Sequence, residues 1–126
     1  MSLLLDTHIL LWWLADDPLL PDAAGAAISS PDNEVTVSAA AVWEIAIKQA
    51  VGTLEAPDDL LEVLTTNDFG TLNITASHAV AAGGLPAHHS DPFDRMMIAQ
   101  ARAEDLILVS VDERFFQYDV QLLPLS

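Results

Sequence analysis

The stretch "LILVSVD", residues 106–112, reads as a strand followed at once by a carboxylate: "LILVSV" is an uninterrupted run, short for a helix and ended by Asp112. Such a run, without polar alternation, is the mark of a strand covered on both faces, as in parallel sheets. The N-terminus repeats the pattern, with "LLL" at 3–5 ending at Asp6. "VTV" at 35–37 is a further strand of β-branched residues. Helical segments lie between these strands. "HILLWWLA" runs to the breaker "DDPLLPD", Pro21-Asp22 opens "AAGAAISS", and Ser38 is placed as N-cap of "AAAVWEIAIKQAV" with Gly52 past its end. A helix from Pro57, a short strand "TLNI", the helix "TASHAVAAGG" and a helix from Pro92 follow, with a last strand expected near "VQLLPL". This alternation predicts an α/β sandwich around a mostly parallel sheet, and the length of 126 residues predicts one domain, 1–126. Ligands in such folds bind outside the carboxyl ends of the strands, the edge from which Asp6 and Asp112 project.

Composition narrows the chemistry. The chain has no cysteine, which excludes disulfides, thiolate nucleophiles and Cys-based metal sites. Nineteen acidic residues face only Lys48, Arg95, Arg102 and Arg114, a formal charge of −15 that repels nucleic acid unless cations intervene. Most of that charge is accounted for by solubility or a salt-loving host, because only a few carboxylates fit in one site. The N-terminus lacks a basic leader region and no run approaches membrane-spanning length, so no membrane association and a cytoplasmic location are expected. A residue content that is 52% hydrophobic favours a homodimer that covers part of the apolar surface.

Four acids stand out, each with a plainer alternative. Asp6 and Asp112 follow strands, where a helix cap and a turn residue respectively are the alternatives. In "HHSDPFDRMMIAQARAED", residues 88–105, Pro92 at the first helical position makes Asp91 the N-cap. At about 100° per residue, Asp94 then shares the arc of Met97, Ile98 and Ala101, whereas Asp91 turns toward Arg95, with which an i,i+4 pair is expected. Asp94 has a capping alternative too, but a carboxylate on an apolar face is costly unless something compensates it. Glu44, at the edge of a face made by Trp43, Ile47 and Val51, is explained equally by a surface pair with Lys48. Thr7 and Ser110 have hydroxyls that can orient the neighbouring carboxylates or simply cap backbone. His88 and His89 read as solvated turn residues, His8 and His78 lack a partner at ligand spacing, and Trp12, Trp13 and Trp43 read as core or interface.

If Asp6, Asp94, Asp112 and Glu44 converge, they form an oxygen-rich site suited to Mg²⁺ or Mn²⁺ and to phosphodiester hydrolysis. "LLLDTHILLWWL", "VSAAAVWEIAIK", "HHSDPFDRMMIAQA" and "LILVSVDERF", in this order and spanning nearly the whole chain, resemble the PIN-domain family, in particular the VapC toxins of toxin-antitoxin pairs. The resemblance implies a PIN-like three-layer sandwich, a mostly parallel five-stranded sheet with helices on both faces. It also implies a Mg²⁺- or Mn²⁺-dependent endoribonuclease acting on RNA such as tRNA or rRNA, often dimeric, and held in check by a cognate antitoxin. The family's four acids fall on Asp6, Glu44, Asp94 and Asp112, with Thr7 and Ser110 at its hydroxyl positions. Thr53 stands where a lysine is common. The acidity of the site leads us to expect a basic C-terminal antitoxin segment with an arginine or lysine as plug. A non-catalytic interaction module on the same fold is the alternative, favoured by the scarcity of cations. An aspartyl-phosphate phosphatase ranks third, because the position two after Asp6 is His8 rather than an acid.

Overall fold

The computed structural model describes residues 1–126. Chain order is β1 (Ser2–Leu5), α1 (Thr7–Leu14), α2 (Asp22–Ser29), β2 (Glu34–Ser38), α3 (Ala39–Ala50), α4 (Leu60–Thr66), β3 (Gly70–Leu72), α5 (Ala76–Gly83), α6 (Pro92–Ala103) and β4 (Ile107–Val109), then a 3₁₀ turn over Glu113–Gln117. The strands form one parallel sheet in the order β3-β2-β1-β4. Leu3, Leu4 and Leu5 are wholly buried, as are Val37, Leu108 and Val109 on the flanking strands. Their unbroken apolar runs therefore reflect a sheet covered on both faces. Removing one such side chain, as in Leu4→Ala, would cost about 2–5 kcal/mol.

The chain leaves β1 in one direction to reach β2 and returns to its other side as β4. Strand order thus reverses at β1, and the crevice at its carboxyl end is where an open α/β sheet binds ligands. Asp6 follows β1, and Ser110 follows β4. Ser38 ends β2 and caps α3 by accepting the Ala40 N–H, as its position predicts, while Gly52 takes the left-handed φ of 78° beyond that helix. No helix is long and apolar enough to cross a membrane.

Several expectations are corrected. The sheet has four strands rather than five, because the segment near "VQLLPL" contributes one parallel bridge, Leu108 to Leu122. Two bonds hold it, Leu108 N–H to the Gln121 carbonyl and Leu123 N–H to the Leu108 carbonyl. Pro124 lacks an N–H to extend the ladder. β4 is also shorter than 106–111, since the Ser110 hydroxyl turns toward Asp6 and receives the Asp112 N–H, which takes the backbone out of the sheet. α4 starts at Leu60 rather than Pro57, and the strand expected over 71–74 is Gly70–Leu72. Of the core and interface readings of Trp43, the core is overturned: the side chain is 60% exposed, edge-on to Phe93 with ring centroids 5.3 Å apart.

Candidate functional site

Asp6 stands where β1 hands over to α1, a junction that needs an acceptor for the first free amides of the helix. Its Oδ1 takes the Thr7 N–H at 2.8 Å, and its Oδ2 takes the Ser110 hydroxyl at 2.8 Å. The cap reading is therefore correct in geometry but incomplete. Only 5% exposed, the Asp6 carboxyl is pushed up to about 6, first by burial and then by the charge of Asp94, against the two hydrogen bonds that favour its ionised form. A simple cap would sit in water and feel neither.

Thr7 carries the chain of contacts onward. Its hydroxyl donates to Glu44 Oε1 at 2.6 Å, and Lys48 Nζ donates to Glu44 Oε2 at 2.6 Å. The Glu44–Lys48 pair read from the i,i+4 spacing is present, but Glu44 is no surface residue: it is 4% exposed, while the apolar residues beside it, Trp43, Ile47 and Val51, face outward. Helix α3 turns its polar edge inward because that edge meets α1 and α6, which bring Thr7 and Asp94 toward it.

Helix α6 begins as its sequence implies. Asp91 caps it, accepting the Phe93 and Asp94 amides at 2.8 and 3.0 Å, with Pro92 in the first turn. Asp94 lies on the inner side, half-buried, where burial raises its pKa and a hydrogen bond from His89 opposes the rise. His89 Nε2 sits 2.6 Å from Asp94 Oδ2.

His89 is the residue that sequence reading missed. It is buried rather than solvated, and its loop is anchored by two side chains. The Tyr118 hydroxyl accepts the His89 N–H at 2.9 Å and donates to the Pro86 carbonyl at 2.8 Å. Arg95 does not pair with Asp91. Its guanidinium instead donates to the carbonyls of Ala82, Leu85 and Pro86, each at 2.9 Å, and of His89 at 3.2 Å. These carbonyls lie at the C-terminal end of α5 and in the loop after it, where helical donors run out; Pro86 alone shares its carbonyl with a second side chain, Tyr118. The available signal was the short tether: His89 stands two residues before the cap, close enough to fold back over the first turn of α6. His78 is also buried, bonded to Thr75 in a capping box and, through Nε2, to Glu104 at 2.9 Å. Its role is structural.

Asp112 caps the 3₁₀ turn and is forked by Arg114, with Nε 3.0 Å from Oδ1 and Nη2 2.7 Å from Oδ2. This pairing holds its carboxyl below the usual range. One ligating atom from each of His89, Asp94 and Asp112 lies within 4.8 Å of the other two. Asp6 and Glu44 line the same depression, as do Lys48 and Arg114, but stand outside that group of three. The sequence-derived residues are thus gathered in two linked clusters, Asp6, Thr7, Glu44 and Ser110 joined by hydrogen bonds and Asp94 and Asp112 beside them, the second cluster joined by His89. A site of carboxylate oxygens and one imidazole suits a hard or borderline divalent cation. Burial of Asp6 beside Asp94 leaves negative charge that such a cation would compensate.

Strand order, the crevice at β1 and the acids gathered there define a parallel α/β protein with an acidic site at its carboxyl edge. The PIN domain family model matches residues 3–121, and the chain belongs to that family. Ribonuclease VapC22 of Mycobacterium tuberculosis is 34% identical over 121 residues, 90% of this chain and 88% of that protein. Among solved structures, VapBC2 from Rickettsia felis bound to a DNA fragment from its promoter superposes with a TM-score of 0.73 at 16% identity, covering 98% of each chain. FitAcB from Neisseria gonorrhoeae gives a TM-score of 0.67 at 21% identity, over 97% of this chain and 96% of that one. At these identities the structural likenesses speak to the fold.

Proposed function

We propose that the chain is a VapC-like endoribonuclease toxin that hydrolyses RNA phosphodiester bonds with a divalent metal and is neutralised by a cognate antitoxin. The observation that carries this reading is the convergence of Asp6, Glu44, Asp94 and Asp112 on one depression at the strand-order reversal, in a chain similar to a named ribonuclease. Asp6, Glu44, Asp94 and Asp112 would hold Mg²⁺ or Mn²⁺, with His89 an additional donor beside Asp94 and Asp112. When bound, the metal would polarise the phosphoryl oxygen and lower the pKa of the attacking water. Thr7 fixes the Glu44 carboxylate and Ser110 fixes that of Asp6, so neither has to be ordered when substrate arrives. His89 holds Asp94 by one oxygen, Oδ2, and so fixes the orientation of a carboxylate that lines the depression. An aspartyl-phosphate route would want a general acid two residues after Asp6, where His8 stands, and ranks below direct attack by water.

Purified protein should cut single-stranded RNA with Mg²⁺ or Mn²⁺, stop cutting in EDTA, and lose at least about a hundredfold in rate as Asp94→Asn. Equal cutting by that variant, or by wild type in EDTA, would exclude the metal reading. Calorimetric titration with Mn²⁺ separates the enzyme from a non-catalytic interaction module, which would bind no metal.

An antitoxin segment carrying arginine or lysine fits the acidity of the depression, because a guanidinium pairs bidentately with carboxylates. A solved structure of the same fold is a toxin-antitoxin complex from Klebsiella pneumoniae. A complex that weakens sharply with salt is expected, and indifference to salt would count against a charge-led contact. A homodimer is favoured by the row of outward apolar side chains on α3, and light scattering would read its mass.

A further inference from the structure

The chain carries 19 acidic side chains and four Lys or Arg, so any polyanion that reaches the site must be gripped by very few cations. Their placement divides them. Arg95 is committed to backbone carbonyls, and Arg102 lies in the last turn of α6 outside the carboxylate depression. Lys48 and Arg114 line that depression.

We propose that Lys48 and Arg114 are the phosphate-gripping groups of the site, binding backbone phosphates of a single-stranded RNA beside the carboxylates. This rests on the ribonuclease reading and assigns its substrate-binding residues. Both cations keep donors free on their solvent side. Lys48 uses one ammonium bond, to Glu44, and its side chain is 42% exposed. Arg114 uses Nε and Nη2 on Asp112, leaves Nη1 without a protein acceptor, and is 57% exposed. A guanidinium forked on one edge can take a phosphate oxygen on another, because its five donors lie in a rigid plane. The carboxylate partners fix the direction of each cation. The anchors sit on separate elements, α3 and the turn after β4, and line one depression with Asp6, Glu44, Asp94 and Asp112, so a strand held by both is brought beside those carboxylates.

Two contacts have a measurable signature. On single strands each neutralised phosphate contributes about 0.7 to the slope of log affinity against log salt, so the expected slope is about −1.4. That is shallow for a nucleic-acid binder. Binding of a labelled single-stranded RNA is read by anisotropy in Mg²⁺ between about 50 and 200 mM salt, in an Asp94→Asn background that leaves the RNA intact. Adding Arg114→Gln or Lys48→Gln should each flatten the slope by about 0.7 and weaken binding at low salt; Arg114→Lys and Lys48→Arg should keep the slope. An unchanged slope in both Gln variants, or a starting slope near −4, overturns the proposal. Wild type that cuts RNA while the slopes stay unchanged removes this assignment alone; wild type that neither cuts nor binds RNA removes the ribonuclease reading with it.

Discussion

Replacing Asp6 by asparagine should stabilise the metal-free protein while abolishing its activity. Burial, with the charge of Asp94, pushes the folded Asp6 carboxyl up to about 6 from an ordinary 3.8. Ionising it in the fold therefore costs about 3 kcal/mol, at roughly 1.4 kcal/mol for each tenfold in proton affinity. Because the folded value lies above the unfolded one, the stabilising contribution is complete below 3.8 and is lost as pH climbs through about 6. Asparagine keeps the acceptor for the Thr7 amide but turns an NH₂ toward the Ser110 hydroxyl, which must then find another acceptor. We allow about 1 kcal/mol for that mismatch. The net gain at pH 7.5 is about 2 kcal/mol, near 8 °C in Tm for a domain of this size. Thermal melts in EDTA from pH 4 to pH 8 provide the assay. General charge repulsion also lowers stability as pH rises, so the informative quantity is the difference between variant and wild type at each pH. That difference should be largest above pH 7 and should vanish or reverse near pH 4. A variant less stable than wild type at pH 7.5, or a difference flat in pH, would refute the reasoning from burial.

Two further substitutions probe the support of the site. His89→Ala removes the group that orients Asp94, and kcat should fall about 10- to 100-fold with the far-ultraviolet circular dichroism unchanged; unaltered kinetics would leave His89 a packing residue. Arg95→Met removes the guanidinium from four carbonyls, of which Pro86 keeps the Tyr118 hydroxyl, and urea unfolding should show a loss of about 2–3 kcal/mol, whereas a loss under about 1 kcal/mol would mean that water replaces the guanidinium.

Much of the fold is legible because strands such as Leu3–Leu5 are buried on both faces and announce it by unbroken apolar runs. The Asp91–Asp94 distinction is legible too, since Pro92 fixes the phase of α6 and everything after it follows at helical spacing. Where periodicity stops, so does legibility. His89 lies in a loop whose path is set by Arg95 and Tyr118, the latter 29 residues away in sequence, and no local pattern encodes that meeting. Glu44 misled for a different reason: a Glu-Lys spacing is the same on a wet face and at a buried edge, and only the packing of α3 against α1 and α6 distinguishes them. The i,i+4 spacing points Arg95 to the nearest carboxylate, but four carbonyls converging on one guanidinium form a better-matched partner than a cap that already accepts two amides. The final strand failed at its edge, where β4 offers three residues and Pro124 follows.

The carbonyl cage around Arg95 makes the Gly84–Asp91 segment a counted length of chain. Its ends are fixed to α5 and to the cap of α6, and its middle is tied to a guanidinium and a phenol. Deleting or inserting one residue there would leave both helices intact yet carry the imidazole off Asp94. Gaps in this segment would therefore accompany loss of that histidine among related chains, and a designer who grafts the site elsewhere must transplant the spacer with the acids.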